Sequence, residues 1–260
     1  MKKTILLTGA TDGIGLEAAK LLAAEGHKVL LHGRNAAKLA SAAEAIGGDN
    51  EVVSADLADL NAVAAMADDI TSRHNRLDVL INNAGVLKAS ETKTQSGLDI
   101  RFVVNTLAPF LLARRLLPII PEDGRIINLS SAAQAPVQLA AMAAGAPMAD
   151  MEAYAQSKLA ITMWSRVLAG QLGRGPLVVS VNPGSLLATK MVKEGFGIAG
   201  NDISIGAEIL RRAALDADFS DASGLYYDND AGGFGPPHQD ALDDNLAKSV
   251  TDALEKLLPA

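Results

Sequence analysis

Short aliphatic runs alternate with longer stretches of helical periodicity along this 260-residue chain. The runs fall at residues 4–7, 28–31, 51–53, 77–81, 125–129 and 177–181, with a late one at 225–227. Unbroken Val/Ile/Leu runs mark parallel strands buried on both faces. Helical patterns lie between them at residues 14–25, 36–46, 60–73, 97–117, 151–172 and 203–217. The alternation predicts one α/β domain over residues 1–260, a doubly wound parallel sheet of about seven strands with helices on both faces. Right-handed crossovers then place the carboxyl ends of the strands along one edge, where ligands bind. Two stretches break the rhythm, residues 132–150 and 185–202, and both are expected to hang over that edge. Residues 232–237, Gly-Gly-Phe-Gly-Pro-Pro, read as a surface turn before a closing helix near 239–258.

Composition narrows the class. Hydrophobic residues make up 49% of the chain, enough for a large core, while aromatics are only 3%. The core is therefore expected to be aliphatic. A net charge of -7 argues against a nucleic-acid partner, which needs a basic face. The chain has no cysteine, which removes disulfides, thiolate catalysis and Cys-zinc sites. Its four histidines show no ligand spacing, so no metal site is expected. Met1-Lys2-Lys3 precedes an apolar run, but Thr8, Gly9 and Asp12 interrupt it too early for a secretory segment. The apolar region 102–120 carries Asn105, Arg114 and Arg115, which a membrane span tolerates poorly. The expectation is a soluble, cytoplasmic protein with no membrane span.

The turn after the first strand reads Thr8-Gly9-Ala10-Thr11-Asp12-Gly13-Ile14-Gly15. Gly9 permits a tight turn, Gly13 lets backbone approach a pyrophosphate, and Gly15 lets the helix pack close to the sheet. The helix amino end offers N–H groups and a positive dipole to the anion. Thr11, Asp12 and Ile14 join the glycines as candidate cofactor contacts. The second strand ends at Leu31-His32-Gly33-Arg34-Asn35. An acid there would take the adenosine ribose hydroxyls; here Arg34 offers a guanidinium to a 2′-phosphate instead, with Asn35 beside it. This points to NADP(H) rather than NAD(H). The third strand ends at Asp56-Leu57, where a carboxylate suits the adenine amino group and equally suits a helix cap. The fourth ends at Asn82-Asn83-Ala84-Gly85, small and amide side chains fitted to backbone packed near a nucleotide.

Tyr154 and Lys158 lie four apart on a predicted helix, one turn apart on one face. A free tyrosine titrates at about 10, too high for efficient acid–base work at neutral pH, and a nearby ammonium lowers it. Ser130-Ser131 follow the fifth strand, where a hydroxyl can polarise a substrate carbonyl.

In order along the chain, Thr-Gly-x-x-x-Gly-x-Gly at 8–15, Asn-Asn-Ala-Gly at 82–85, Asn105, Ser130-Ser131, Tyr154-x-x-x-Lys158 and Asn182-Pro183-Gly184 resemble the short-chain dehydrogenase/reductase family, with its Rossmann-type sheet. The resemblance covers about residues 3–230. Residues 94–112 and Ser-Lys-Leu-Ala at 157–160 look most like its retinol-dehydrogenase-like branch. The resemblance implies an oxidoreductase interconverting a carbonyl and an alcohol on a small molecule. Tyr154 would be the general acid/base. Lys158 would bond the nicotinamide ribose and depress the Tyr154 pKa. Ser131, rather than Ser130, would hold the substrate oxygen. Asn105 would sit at a helix irregularity and hold a water relaying protons to Lys158. Asn83, Ala84, Gly85, Pro183, Gly184 and Thr189 would line the cofactor site. The family's dimers and tetramers often form through the helices holding Asn105 and Tyr154, so a homodimer or homotetramer is expected; Ala155, Leu159 and Met163 equally suit intramolecular packing.

Two departures stand out. Residues 132–153 separate Ser131 from Tyr154, more than in the family's shorter members, and the insertion at 132–150 is expected to remodel the substrate mouth and to affect subunit contacts. Position 12 is Asp, where many NADP-dependent members carry a basic residue. Met142, Met148, Leu186, Leu187, Met191 and Phe196 suggest an apolar pocket lining, with lid packing the other reading. The alternatives in function are a non-catalytic nucleotide sensor and an epimerase or dehydratase sharing Tyr-x-x-x-Lys.

Overall fold

A computed structural model, describing residues 1–259, contains one eight-stranded sheet. Its strands are β1 (Thr4–Leu7), β2 (Lys28–Gly33), β3 (Asn50–Ser54), β4 (Val79–Asn82), β5 (Arg125–Leu129), β6 (Leu177–Asn182), β7 (Tyr226–Asp228) and β8 (Gly233–Gly235). They run in the order 3-2-1-4-5-6-7-8, all parallel except the β7–β8 pair. The fold class is the doubly wound parallel sheet read from the sequence. The turn expected at 232–237 is instead an antiparallel edge strand. Tyr227 pairs with Phe234, and the Phe234 ring packs edge-on against Tyr227 and Phe219, with centroids 5.1 and 5.2 Å away. One aromatic between glycines is too short a run to show an alternating pattern.

The helices are α1 (Gly13–Ala24), α2 (Ala36–Ile46), α3 (Leu60–Arg73), α4 (Ile100–Phe102), α5 (Ala108–Leu116), α6 (Leu139–Ala144), α7 (Asp150–Leu172), α8 (Lys190–Phe196), α9 (Ser204–Leu215), α10 (Gln239–Leu242) and α11 (Asp244–Glu255). Asp12, Asn35 and Asp59 cap α1, α2 and α3 through their side chains. Alternate strand residues feed two core layers, which is why the runs read as continuously apolar. Leu6, Leu30, Leu80, Ile126 and Val178 pack under α3, α5 and α7; Ile5, Leu7, Val29, Leu31 and Val179 pack under α1 and α9.

The helix expected from 97 begins at Ile100, after Asp99 accepts from the Arg101 N–H. Between α4 and α5 the chain widens into a π-helical turn, Val103–Leu107. Ile100–Ile119 is long and apolar enough to cross a membrane, but 72% of its window is buried inside the fold.

Residues 132–150 do not overhang the ligand edge as expected. The segment folds down as α6: Met142 is fully buried, and Leu139 and Met148 pack on the α3/α5/α7 layer. Buried Arg101, bonded to Asp99 at 2.5 Å, also pairs with Asp150 and donates to the Met148 carbonyl, which anchors the far end. At the carboxyl side, α10 and α11 cover α7. Ala247, Val250 and Leu254 join the layer containing Trp164 and Leu168, and Arg114 on α5 reaches Glu255 at 2.9 Å. As a result every residue from Gln156 to Ser165 is buried. Leu159 and Met163 thus pack within the chain.

One buried imidazole ties the ligand edge together. His32 on β2 accepts from the Gly9 N–H through Nδ1 at 3.3 Å and donates to the Ala55 carbonyl through Nε2 at 3.1 Å. Burial pushes its pKa down to about 4. Between that value and the ordinary one near 6.5, the unfolded chain binds a proton and the folded chain does not. The stabilisation is complete above pH 6.5 and is lost as pH falls toward 4, about 3 kcal/mol in all. Urea unfolding at pH 7 and pH 4.5 is expected to show the wild type losing roughly 2–3 kcal/mol more than His32→Gln, whose amide keeps both bonds without titrating. Equal losses would remove His32 as the source.

Candidate active site

A cleft of about 800 Å³ runs along the carboxyl ends of the central strands. It opens where β1 lies between β2 and β4, the point at which the crossovers diverge to the two sides of the sheet. At its floor is the first turn. Gly9 has φ +69 and Gly13 φ +58, a backbone shape that favours glycine. A Cβ on Gly15 would lie 2.2 Å from the Gly9 carbonyl oxygen and 2.5 Å from Asn83 Nδ2. Asn83 donates to the Thr8 carbonyl at 2.8 Å and to the Gly9 carbonyl at 3.2 Å, while Thr8 Oγ1 accepts from the Asn83 and Ala84 N–H groups. Gly9, Thr11, Asp12, Ile14 and Gly15 line the cleft; Gly13 lies behind it, shaping the turn. First-turn N–H groups such as those of Ile14 and Gly15 have no acceptor in their own helix, so this is a cradle for an anion.

Farther out, Arg34, Asn35, Asp56 and Leu57 line the same cleft. Asn35 Oδ1 accepts from the Lys38 N–H as the α2 cap. Asp56 Oδ1 accepts from the Ala58 N–H and bends the chain, whereas α3 is capped by Asp59. Lys38, missed in the sequence, also lines the cleft. Its signal was a second cation four residues after Arg34, in the first turn of α2. Neither Arg34 nor Lys38 meets a carboxylate among the described residues.

The inner end holds the reactive side chains. Tyr154 is half-buried and Lys158 buried, with the Lys158 Nζ 5.6 Å from the centre of the Tyr154 ring. Lys158 donates to the Leu129 carbonyl at 2.7 Å. The Ser131 hydroxyl lies against the Tyr154 phenol and accepts from the Ala133 N–H at 3.1 Å. Ser130 turns the other way, bonding the Lys158 carbonyl at 3.0 Å and Thr162 at 2.7 Å. Burial pushes the Tyr154 phenol up, and the Ser131 hydrogen bond only partly opposes it. This runs against the depression expected from Lys158. The Lys158 ammonium is itself pushed down to about 8, because burial disfavours its charge.

Asn105 sits in the π-helical turn, the irregularity expected from the sequence, and outside the cleft wall. Its Oδ1 accepts from the Val86 N–H at 2.8 Å; its Nδ2 donates to the Val86 carbonyl at 2.9 Å and to Ser157 Oγ at 3.0 Å. Gly85 separates it from the cleft, and a Cβ there would lie 3.3 Å from Asn105 Oδ1 and 3.6 Å from Lys158 Nζ. Ala84, Gly85, Pro183, Gly184 and Thr189 all line the cleft, and Thr189 also caps α8.

Of the expected apolar lining, Leu186, Leu187, Met191 and Phe196 are in place. Met142 and Met148 are not: Met142, on α6, is in the core, and Met148, beyond the helix, packs against the same layer. Val86, Val104 and Met151 take that role instead. Only Ala132 and Ala133 of the long 132–150 segment reach the cleft.

Residues 3–196 match the family model for short chain dehydrogenase. Retinol dehydrogenase 13 of Homo sapiens is 33% identical over 260 residues, covering 87% of this chain and 76% of the relative. A solved structure of an uncharacterized protein from Mycobacterium Paratuberculosis superposes with TM-score 0.82 at 27% identity, covering 99% of this chain and 95% of that one. A short chain dehydrogenase from Burkholderia cenocepacia, solved in complex with NADP, superposes with TM-score 0.68 at 29% identity, covering 87% and 95%. The chain belongs to the short chain dehydrogenase family, on its retinol-dehydrogenase-like branch, as an oxidoreductase that binds a nicotinamide cofactor and acts on CH–OH donors.

Proposed function

We propose that the chain interconverts an apolar carbonyl compound and its alcohol with NADP(H), using Tyr154 as general acid and base. The observation that carries this reading is the meeting of Ser131, Tyr154 and Lys158 at one end of a cleft whose other end is the glycine turn. The glycine turn fits a dinucleotide: without side chains at Gly9 and Gly15 the helix start sits directly against the turn, with its free N–H groups facing the cleft. Gly9 to Gly15, Asp56, Gly85, Gly184 and Thr189 would hold the cofactor, which when bound supplies or accepts the hydride.

The protein's own part is proton handling and positioning. The Ser131 hydroxyl donates to the substrate oxygen and holds it beside Tyr154. Tyr154 gives that oxygen its proton in reduction and takes it back in oxidation. Burial keeps the resting phenol protonated, which suits reduction at neutral pH. The ammonium of Lys158 stabilises the tyrosinate as it forms. Asn105 fixes the Val86 backbone and Ser157, one residue before Lys158. The aliphatic wall excludes water and favours an apolar substrate body, in keeping with the retinol dehydrogenases among the relatives.

Arg34 and Lys38 support the preference for NADP(H), because two unpaired cations await an anion at the adenosine end. Fluorescence titration is expected to show NADPH binding at least about 30-fold tighter than NADH, and Arg34→Ala combined with Lys38→Ala is expected to bring the ratio near one. Tighter NADH binding by the wild type would reject the preference. A screen of NADPH oxidation over aldehydes, ketones and quinones should find activity, and Tyr154→Phe should then lower kcat by about 1,000-fold or more while leaving NADPH affinity within about twofold. Near-normal turnover in that variant would reject Tyr154 as the acid. A blank with every carbonyl would favour a nucleotide sensor.

A further inference from the structure

Ser131 is the second residue after β5, in a stretch without helix or ladder bonds to hold it. Its hydroxyl nevertheless has to meet Tyr154. The hydroxyl oxygen accepts from the Ala133 N–H at 3.1 Å, and the peptide itself is held from its far side. The Ser131 carbonyl accepts from Gln134 Nε2 at 2.9 Å and from the Tyr226 hydroxyl at 3.0 Å. Two donors fill both lone pairs of that oxygen, so the peptide cannot rotate without losing a partly buried hydrogen bond.

Both donors are themselves held. The Tyr226 ring is 5% exposed on β7, and its strand is locked between β6 and β8. Burial and the neighbouring Asp228 push its phenol up, so it remains a donor at working pH. Gln134 Oε1 accepts from the His238 N–H at 3.3 Å, at the start of α10. That bond requires the oxygen on one side of the amide and so leaves the NH₂ facing Ser131. Neither Gln134 nor Tyr226 lines the cleft.

We propose that Gln134 and Tyr226 are positioning residues: together they clamp the Ser131 carbonyl and thereby aim the Ser131 hydroxyl at Tyr154. This rests on the reading of Ser131 and Tyr154 given under Proposed function. It also assigns work to the segment after Ser131 and to the β7–α10 region, which contribute no atom to the reaction.

The test needs no substrate. The chain has three tyrosines, so protein labelled with ¹³C at tyrosine Cζ shows three resonances at pH 7, and Tyr154→Phe identifies the one from Tyr154. Ser131→Ala sets the position that this resonance takes when its hydrogen bond is lost. Tyr226→Phe keeps the buried ring and removes only the hydroxyl; Gln134→Met keeps length and removes the amide. Each is expected to move the Tyr154 resonance toward the Ser131→Ala position, with NADPH affinity by fluorescence unchanged. With a carbonyl found in the screen, kcat should fall about tenfold in each variant. A lowered Tm with the Tyr154 resonance unmoved in both variants, while Ser131→Ala moves it, would overturn the clamp alone. A resonance that Ser131→Ala also fails to move would overturn the Ser131–Tyr154 contact, and with it the proposed roles of these two residues.

Discussion

The constraint on which the cleft depends is the contact between the start of α1 and the end of β1. Gly15 packs so close to the Gly9 carbonyl and to Asn83 that no carbon fits between them. Asn83 belongs to the end of β4, and the bonds from its side chain and backbone to Thr8 and Gly9 bind β4 to the same turn. His32 adds β2 and the end of β3 from the other side. Four strand ends are thus gathered around one peptide turn. The cleft is the space left above that knot, and its depth follows from how closely helix and strand meet there.

At the other end of the cleft the governing effect is desolvation. It raises Tyr154 and lowers Lys158, each toward its neutral form. The phenol therefore stays neutral at pH 7, while Lys158, at about 8, still carries its ammonium charge there. Tyrosinate forming beside a cation in a dry wall is stabilised far more than it would be in water. Ser131 and the Leu129 carbonyl supply the local hydrogen bonds that keep this pair oriented.

The sheet was legible because strands buried on both faces print continuous aliphatic runs, and β1, β5, α2 and α3 have the bounds read from the pattern. The glycine turn, Ser131, Tyr154 and Lys158 were legible because each stands at a strand end or at helical spacing. What escaped detection lacked a period. β8 is Gly-Phe-Gly, and α6 is leucine, alanine and methionine with no polar face. Met142 and Met148 were misplaced for the same reason: an apolar loop residue looks alike whether it faces a cleft or a core. Gln134 and Tyr226 act on a backbone carbonyl, a contact that leaves no trace in residue type or spacing.

The enclosure of α7 has one more consequence. Its middle is sealed by the sheet on one side and by α10 and α11 on the other, all from the same chain. The stiffness of the turn between Tyr154 and Lys158 is therefore supplied in cis. The contacts along this turn that come from its own chain do not change with protein concentration.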